Sequence, residues 1–198
     1  MLLGLISDIH GNVEAFQRSI AELDTVADEI LVAGDAMYEY RFSNDVVELI
    51  QGLSARYIVG NHEMNLLSPG GARARSAPDV RQHNLEFLAT VPTRMEVTVG
   101  GKRLLMVHGS PWYPYGDYLY ASSRELKRCS ELDVDILVLG HTHVPMVERF
   151  GGTLVVNPGS IGEGRGPDPE RSVSYAVLDT DSEEVEIVRF PNPRTAGR

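Results

Sequence analysis

The chain has 198 residues, 42% of them hydrophobic and 23% charged, and a formal net charge of −10. This is the composition of an ordinary globular protein, long enough to build a sizeable core without disulfides or a structural metal. A single cysteine, Cys129, excludes an internal disulfide framework and points to a reducing compartment. The apolar N-terminal run stops at Asp8 without a basic flank, too short for a signal peptide, and no run approaches the roughly 20 apolar residues that span a bilayer. The expectation is a cytoplasmic protein with no membrane partner. The acidic balance weighs against a nucleic-acid backbone as partner. It does not exclude a small anionic substrate, because carboxylates that hold cations are counted in that total.

In chain order, Leu2–Ser7 reads as a buried strand. Val13–Leu23 reads as a helix, with Phe16, Ile20 and Leu23 on one face. Glu29–Ala33, Asn44–Leu53 and Arg56–Val59 continue as strand, helix and strand, a spacing that predicts βαβ units and a mostly parallel sheet. Met64–Pro78, rich in glycine, proline and small polar residues, reads as a long loop. Asp79–Val91 follows as a helix. Met95–Val99 and Arg103–Val107 flank Gly100-Gly101, a hairpin signal. Ser122–Leu132 reads as helical. Ile136–Leu139, Pro145–Phe150, Thr153–Val156, Ser174–Leu178 and Glu184–Arg189 read as strands, with a second hairpin turn at Gly151-Gly152. The tail from Pro191 reads as frayed. The predicted fold is α/β, two packed β-sheets flanked by helices, in one domain over residues 1–198.

The chemistry lies at the strand ends. Asp8 and His10 follow the first strand, Asp35 the second, and Asn61 and His62 the third. His108 follows Met106-Val107, and His141 and His143 follow Leu139-Gly140. In open α/β sheets ligands bind outside the carboxyl ends of the strands. A chain with six histidines does not place Asp-x-His, Gly-Asn-His and His-x-His at such ends by chance. Mixed imidazole and carboxylate donors suit Mn, Fe, Zn, Co or Ni better than Ca or Mg. Asp8, His10, Asp35, Asn61, His108, His141 and His143 are too many for one tetrahedral ion but suit two ions that share a carboxylate. Such a pair clamps the attacking and leaving oxygens of a displacement at phosphorus.

The ordered set Asp8-x-His10, Gly34-Asp35, Gly60-Asn61-His62, His108 and Gly140-His141-x-His143 resembles the calcineurin-like metallophosphoesterases, and Asn157-Pro158-Gly159-Ser160 resembles a further element of their small members. The short chain is similar to the compact prokaryotic phosphodiesterases of that superfamily. The resemblance implies a four-layer α/β/β/α sandwich and a centre of two divalent transition-metal ions, with Mn2+ the first choice. It implies that Asp8, His10, Asp35 and His143 hold one ion, and that Asp35, Asn61, His108 and His141 hold the other. His62 would be the catalytic residue, a general acid at the leaving oxygen. The protein Ser/Thr phosphatases of the superfamily carry an Asp-Arg-Gly shortly after the motif aspartate. Here Ala36-Met37-Tyr38-Glu39-Tyr40 stands instead, so the acid that orients the histidine and the phosphate-binding arginine are both missing, and phosphoprotein is not the expected substrate.

Other residues have plainer readings. Asn12 reads as a helix N-cap, with substrate contact as the alternative. Glu63 reads as no more than a supporting residue. His83 and Cys129 read as ordinary residues of their helices. Trp112, Tyr113, Tyr115, Tyr118 and Tyr120 could stack on an aryl or nucleobase group, or pack, or form a subunit interface, which leaves a homo-oligomer open. Arg73 and Arg75 read as a solvated loop or as phosphate contacts. The expected function is metal-dependent hydrolysis of a small phosphate ester, with diesters favoured. A monoesterase or a nuclease is the alternative within the class, and a metal-free interaction scaffold is the alternative outside it. A scaffold should have lost ligands, and here every expected one is present.

Overall fold

The structure, a computed structural model, describes residues 1–165 and 172–194. Two five-stranded mixed sheets stack face to face. In the first, β1 (Leu2–Ile6), β2 (Glu29–Val32) and β3 (Arg56–Tyr57) run parallel. β9 (Val173–Asp179) and β10 (Val185–Phe190) extend it antiparallel from the other side of β1, with Leu2 opposite Asp179 and Leu5 opposite Ala176. The βαβ spacing thus gives the parallel half correctly. The antiparallel half depends on pairing between the two ends of the chain, which local spacing does not encode. In the second sheet β5 (Lys102–Val107), β6 (Ile136–Val138) and β8 (Thr153–Asn157) are parallel. β4 (Arg94–Val99) and β7 (Met146–Phe150) close its two edges as hairpins. The first hairpin turns on Gly100 and Gly101 at φ of 52° and 76°, the left-handed pair a two-residue turn demands.

Alternation along the strands makes three apolar layers. Leu3, Leu5 and Leu31 of the first sheet meet Leu104, Met106, Ile136, Val138, Leu154 and Val156 of the second, all buried. The residues between them point outward. Leu105, Val107, Leu137 and Val155 pack on Leu126 and Cys129. Ile6 and Val32 pack on α1 (Val13–Leu23), α2 (Asn44–Gly52) and α5 (Gln82–Thr90) through Phe16, Leu23, Val47 and Leu88. The result is the expected α/β/β/α sandwich. Asn12 and Ser43 cap α1 and α2, accepting from Ala15 N and Val46 N.

Three local expectations change. The supposed loop after Met64 is mostly ordered turns of helix: α3 (Asn61–Leu67), a 3₁₀ turn (Pro69–Gly71) and α4 (Ala72–Arg75). Tertiary burial of Leu66 and Ala74 overrides the glycine and proline content. Arg75 donates to the carbonyls of Ser68 and Leu66, so its guanidinium finishes α3 instead of reaching out for phosphate. The segment Ser122–Leu132 is a 3₁₀ helix over Arg124–Glu131, whose period of three stacks Leu126 over Cys129 on one buried face. Burial pushes the Cys129 thiol up to about 11, away from any nucleophilic role.

The chain end is not frayed up to Arg194. Asn192 donates to Gly162 O at 2.9 Å, and Arg194 donates to His10 O at 3.0 Å and to Gly11 O. Residues 195–198 lie outside the described ones. No helix among the described residues is long and apolar enough to cross a membrane.

The layer between the sheets should dominate stability. Leu104→Ala is expected to lower the unfolding free energy by about 3 kcal/mol, whereas Val147→Ala, at an exposed strand position, should change it by less than about 0.5 kcal/mol. Urea denaturation of both variants checks this, and equal effects would contradict it.

Candidate metal centre

The sheets stack so that their parallel strands deliver their carboxyl ends to one edge. Asp8 and His10 leave β1, Asp35 leaves β2, His108 directly follows β5, and His141 and His143 leave β6; Asn61 and His62 open α3 beyond β3. The backbone bends sharply to aim these groups. Asp8, His10, Asp35, His141 and His143 all adopt left-handed φ, between 48° and 68°. Each such conformation costs about 1–3 kcal/mol and persists only where the surroundings impose it.

All seven sequence-predicted donors meet. Asp8, His10 and His143 form one group and Asp35, His108 and His141 another, each with ligand atoms within 4.8 Å of one another. In the first, the Nε2 atoms of His10 and His143 lie 3.0 Å apart, and Asp8 Oδ1 is 3.3 Å from the latter. In the second, His108 Nε2 is 3.0 Å from Asp35 Oδ2, and His108 is 3.9 Å from Asp8 Oδ1, which ties the two groups together. His62 stands beside both, its Nε2 3.9 Å from Asp35 Oδ2 and its side chain 22% exposed.

The outer nitrogens of three of the four rings are already engaged, His10 Nδ1 being buried without a partner. His108 Nδ1 donates to Ala33 O at 2.7 Å, His143 Nδ1 to Glu163 O at 2.8 Å, and His141 Nε2 to Gly116 O at 3.2 Å. The opposite nitrogen of each ring is turned inward, where it can serve as a ligand once free of its proton. Asp8 Oδ2 accepts from Ser7 Oγ and His141 N, while buried Oδ1 has no partner and faces the imidazoles. Asn61 Oδ1 is 3.2 Å from His108 Nε2, and that position is 2.8 Å from His141 Nδ1 and 3.2 Å from Asp35 Oδ2. Turning the amide over would put a proton donor there. With the oxygen inward, Asn61 Oδ1, His141 Nδ1 and Asp35 Oδ2 crowd around His108 Nε2, an arrangement that a cation would satisfy once His108 gives up its proton. The donor set therefore fits divalent metal.

Charge follows from this crowding. Burial opposes ionisation of Asp8, yet His108, His10 and His143 hold its carboxyl well below the ordinary range. Burial opposes a charge on His108, but Asp35 and Asp8 outweigh it and push its pKa up to about 10. Burial, with the neighbouring His108, takes His141 down to about 4.

Several supporting residues escape a reading of the sequence. Glu39, four positions past Asp35, binds His62 Nδ1, so the orienting acid is present after all in the stretch where the phosphatase motif is missing. It is the only acid between Asp35 and Asp45, which is the signal that could have found it. Tyr38 stacks on His10 at 4.2 Å, and Arg41 lies 5.6 Å over the Tyr38 ring.

Glu63, buried, accepts from the backbone N–H groups of Asp35, Ala36 and Gly60 and from the Tyr57 hydroxyl. Burial and the Asp35 carboxylate raise its pKa to about 7 against the pull of those donors. Gly60 is required beside it, because a Cβ there would sit 2.2 Å from Asp35 Oδ1.

The Asn157–Ser160 element is a clamp. Asn157 donates to Gly140 O and Thr142 Oγ1, and Ser160 Oγ donates to Asp8 O. Asn12 is buried, and its amide caps α1 and donates to Ile161 O and Asn192 Oδ1, the structural role the helix N-cap reading describes. His83 is exposed on α5 beside Glu48, away from the centre.

Comparison with known proteins agrees with this geometry. The family model described as the calcineurin-like phosphoesterase superfamily domain matches residues 1–183. The chain belongs to that superfamily, and by class it is a metal-dependent hydrolase of phosphate esters. It is 29% identical over 191 residues to the phosphodiesterase YfcE of Escherichia coli, spanning 91% of this chain and 89% of that one. A probable metallophosphoesterase of Methanothermobacter thermautotrophicus is 28% identical over 197 residues, spanning 98% and 95%. The crystal structure of a metallophosphoesterase from Sphaerobacter thermophilus superposes with a TM-score of 0.79 at 26% identity, covering 96% of this chain and 88% of that one.

Metal uptake should release protons. At about pH 8.5 Glu63 and His141 are already deprotonated, and His108 is still protonated. Metal binding by the metal-free protein should then release roughly one proton per chain, and apparent affinity should rise as pH approaches 10. A pH-indicator titration in weak buffer checks this; no release would contradict the assigned charge of His108.

Proposed function

We propose that the protein hydrolyses small phosphodiesters at a centre of two divalent transition-metal ions, Mn2+ being the first choice. Asp8, His10, Asp35 and His143 would hold one ion, and Asp35, Asn61, His108 and His141 would hold the other, so that Asp35 belongs to both sets. The observation that carries this reading is the convergence of imidazole, carboxylate and amide donor atoms around Asp8 Oδ1 and Asn61 Oδ1. When bound, the ions would supply positive charge for the phosphoryl oxygens and activate water.

The remaining work falls to the chain itself. Glu39 accepts from Nδ1–H of His62, which fixes the ring's orientation and tautomer. Nε2 then points at the centre and delivers a proton to the leaving oxygen as the P–O bond breaks. The backbone N–H of His62 donates to Asp35 Oδ1 at 2.9 Å, which couples the position of the acid to that of the shared ligand. Arg41 lines the same groove as His62 and Glu39 and supplies a cation on the side where the phosphatase-type arginine is lacking. The name of the Escherichia coli relative, a phosphodiesterase, agrees with diesters over monoesters.

Purified protein with Mn2+ is expected to turn over bis(p-nitrophenyl) phosphate. Asp35→Asn should lower kcat/KM by a factor of about 100 or more through loss of the shared ligand. His62→Ala should lower kcat by a factor of about 100 or more and keep its metal content, and Glu39→Gln should show a smaller loss of the same kind. Absence of turnover with every transition metal, or a fully active Asp35→Asn variant, would overturn the reading.

A further inference from the structure

We infer that the protein selects phosphodiesters by the substituent that stays on phosphorus, and that it takes a flat, apolar group there. This inference rests on the phosphodiesterase reading above. Two separate grooves reach the donor cluster. One exposes His62 between Tyr38, Glu39, Arg41 and Glu163, so charged side chains flank the proton donor. The other is a cleft of about 390 Å³ that shares Asn61, His108 and His141 with the centre. Its further walls are mostly apolar, Val59, Met64, Val107, Pro114 and Tyr115, with Thr93, Arg94 and Ser110 among them. The two grooves have no lining residue in common.

A monoester has one organic substituent, the leaving group, and that group belongs beside the proton donor His62. It would leave the second cleft empty. A diester has two substituents. With its leaving oxygen at His62, the other is left for the side of Asn61, His108 and His141, where the cleft opens. The volume suits one small ring system.

The lining sets the chemistry. The exposed lining is mostly apolar, with Val59, Val107, Pro114 and the Tyr115 ring outweighing the few polar groups of Thr93, Arg94 and Ser110, so a polar substituent would lose more hydration on entry than it regains. Met64, half-exposed on α3, supplies a flexible thioether that packs well against an aromatic edge. Tyr118 stacks on His141 at 3.8 Å and braces the wall that cleft and centre share.

The test compares benzyl and methyl p-nitrophenyl phosphate, which have the same leaving group and similar electronics at phosphorus. With Mn2+, kcat/KM should be about tenfold or more higher for the benzyl ester, the effect of burying one ring. The ratio should fall in Met64→Gln. Binding is read separately by saturation-transfer NMR of the Zn2+-loaded protein with dibenzyl and dimethyl phosphate. Saturation should reach the benzyl protons and weaken in Met64→Gln. Equal turnover of both esters would overturn the cleft assignment and leave the phosphodiesterase reading standing. No turnover of either ester, with benzyl-selective saturation that depends on Met64, would support the cleft and overturn the phosphodiesterase reading. No turnover together with no benzyl selectivity in binding would overturn both.

Discussion

Too many ligand-type donor groups occupy one buried edge of this molecule, and the rest of the structure is arranged to keep them there. Two carboxylates, an amide oxygen and four imidazoles have their ligand atoms directed at each other within a few ångströms. Left to themselves such groups repel or take up protons, as the raised pKa of His108 and the depressed one of His141 show. Five of the seven residues also hold a left-handed backbone. Both costs are met by rigidity: three apolar layers fix the strands, and a dense set of hydrogen bonds fixes the loops that leave them.

Those hydrogen bonds come from residues with no role in chemistry. Glu63 gathers the Asp35 loop and the start of α3 on one carboxylate. Asn157 and Ser160 tie the His141 loop and the Asp8 loop to the end of β8. Arg194 reaches across from the far end of the chain to the carbonyls of His10 and Gly11. Each donor loop is thus held from outside the centre, and preorganisation of this kind lets a site bind cations without rearranging. The same scaffold sets two separate openings around the centre, a groove at His62 flanked by Glu39 and Arg41 and a cleft at His108.

Much of this is legible in the sequence, for a physical reason. A buried strand followed at once by Asp, Asn or His is a local pattern, and the α/β architecture sends all such ends to one edge. The seven donors and His62 therefore stand out in the linear pattern alone. Features made by contacts distant in the chain do not. The antiparallel half of the first sheet joins residues 2–5 to 176–179. Glu39 reaches His62 because a loop folds back over 23 positions, at a spacing unlike the phosphatase motif. Glycine and proline after Met64 suggest a loop, and burial of Leu66 and Ala74 makes helical turns of it. Arg75 and Arg194 read as solvated or frayed charges in the sequence, and in the fold both cap backbone carbonyls.

The most direct test of the account is metal stoichiometry. Protein equilibrated with Mn2+, freed of excess ion and subjected to elemental analysis should contain about two ions per chain, falling to about one or fewer in Asp35→Asn. A content well below one ion in the unmodified protein would contradict it, because the crowded donors would then be satisfied without the cations that explain them.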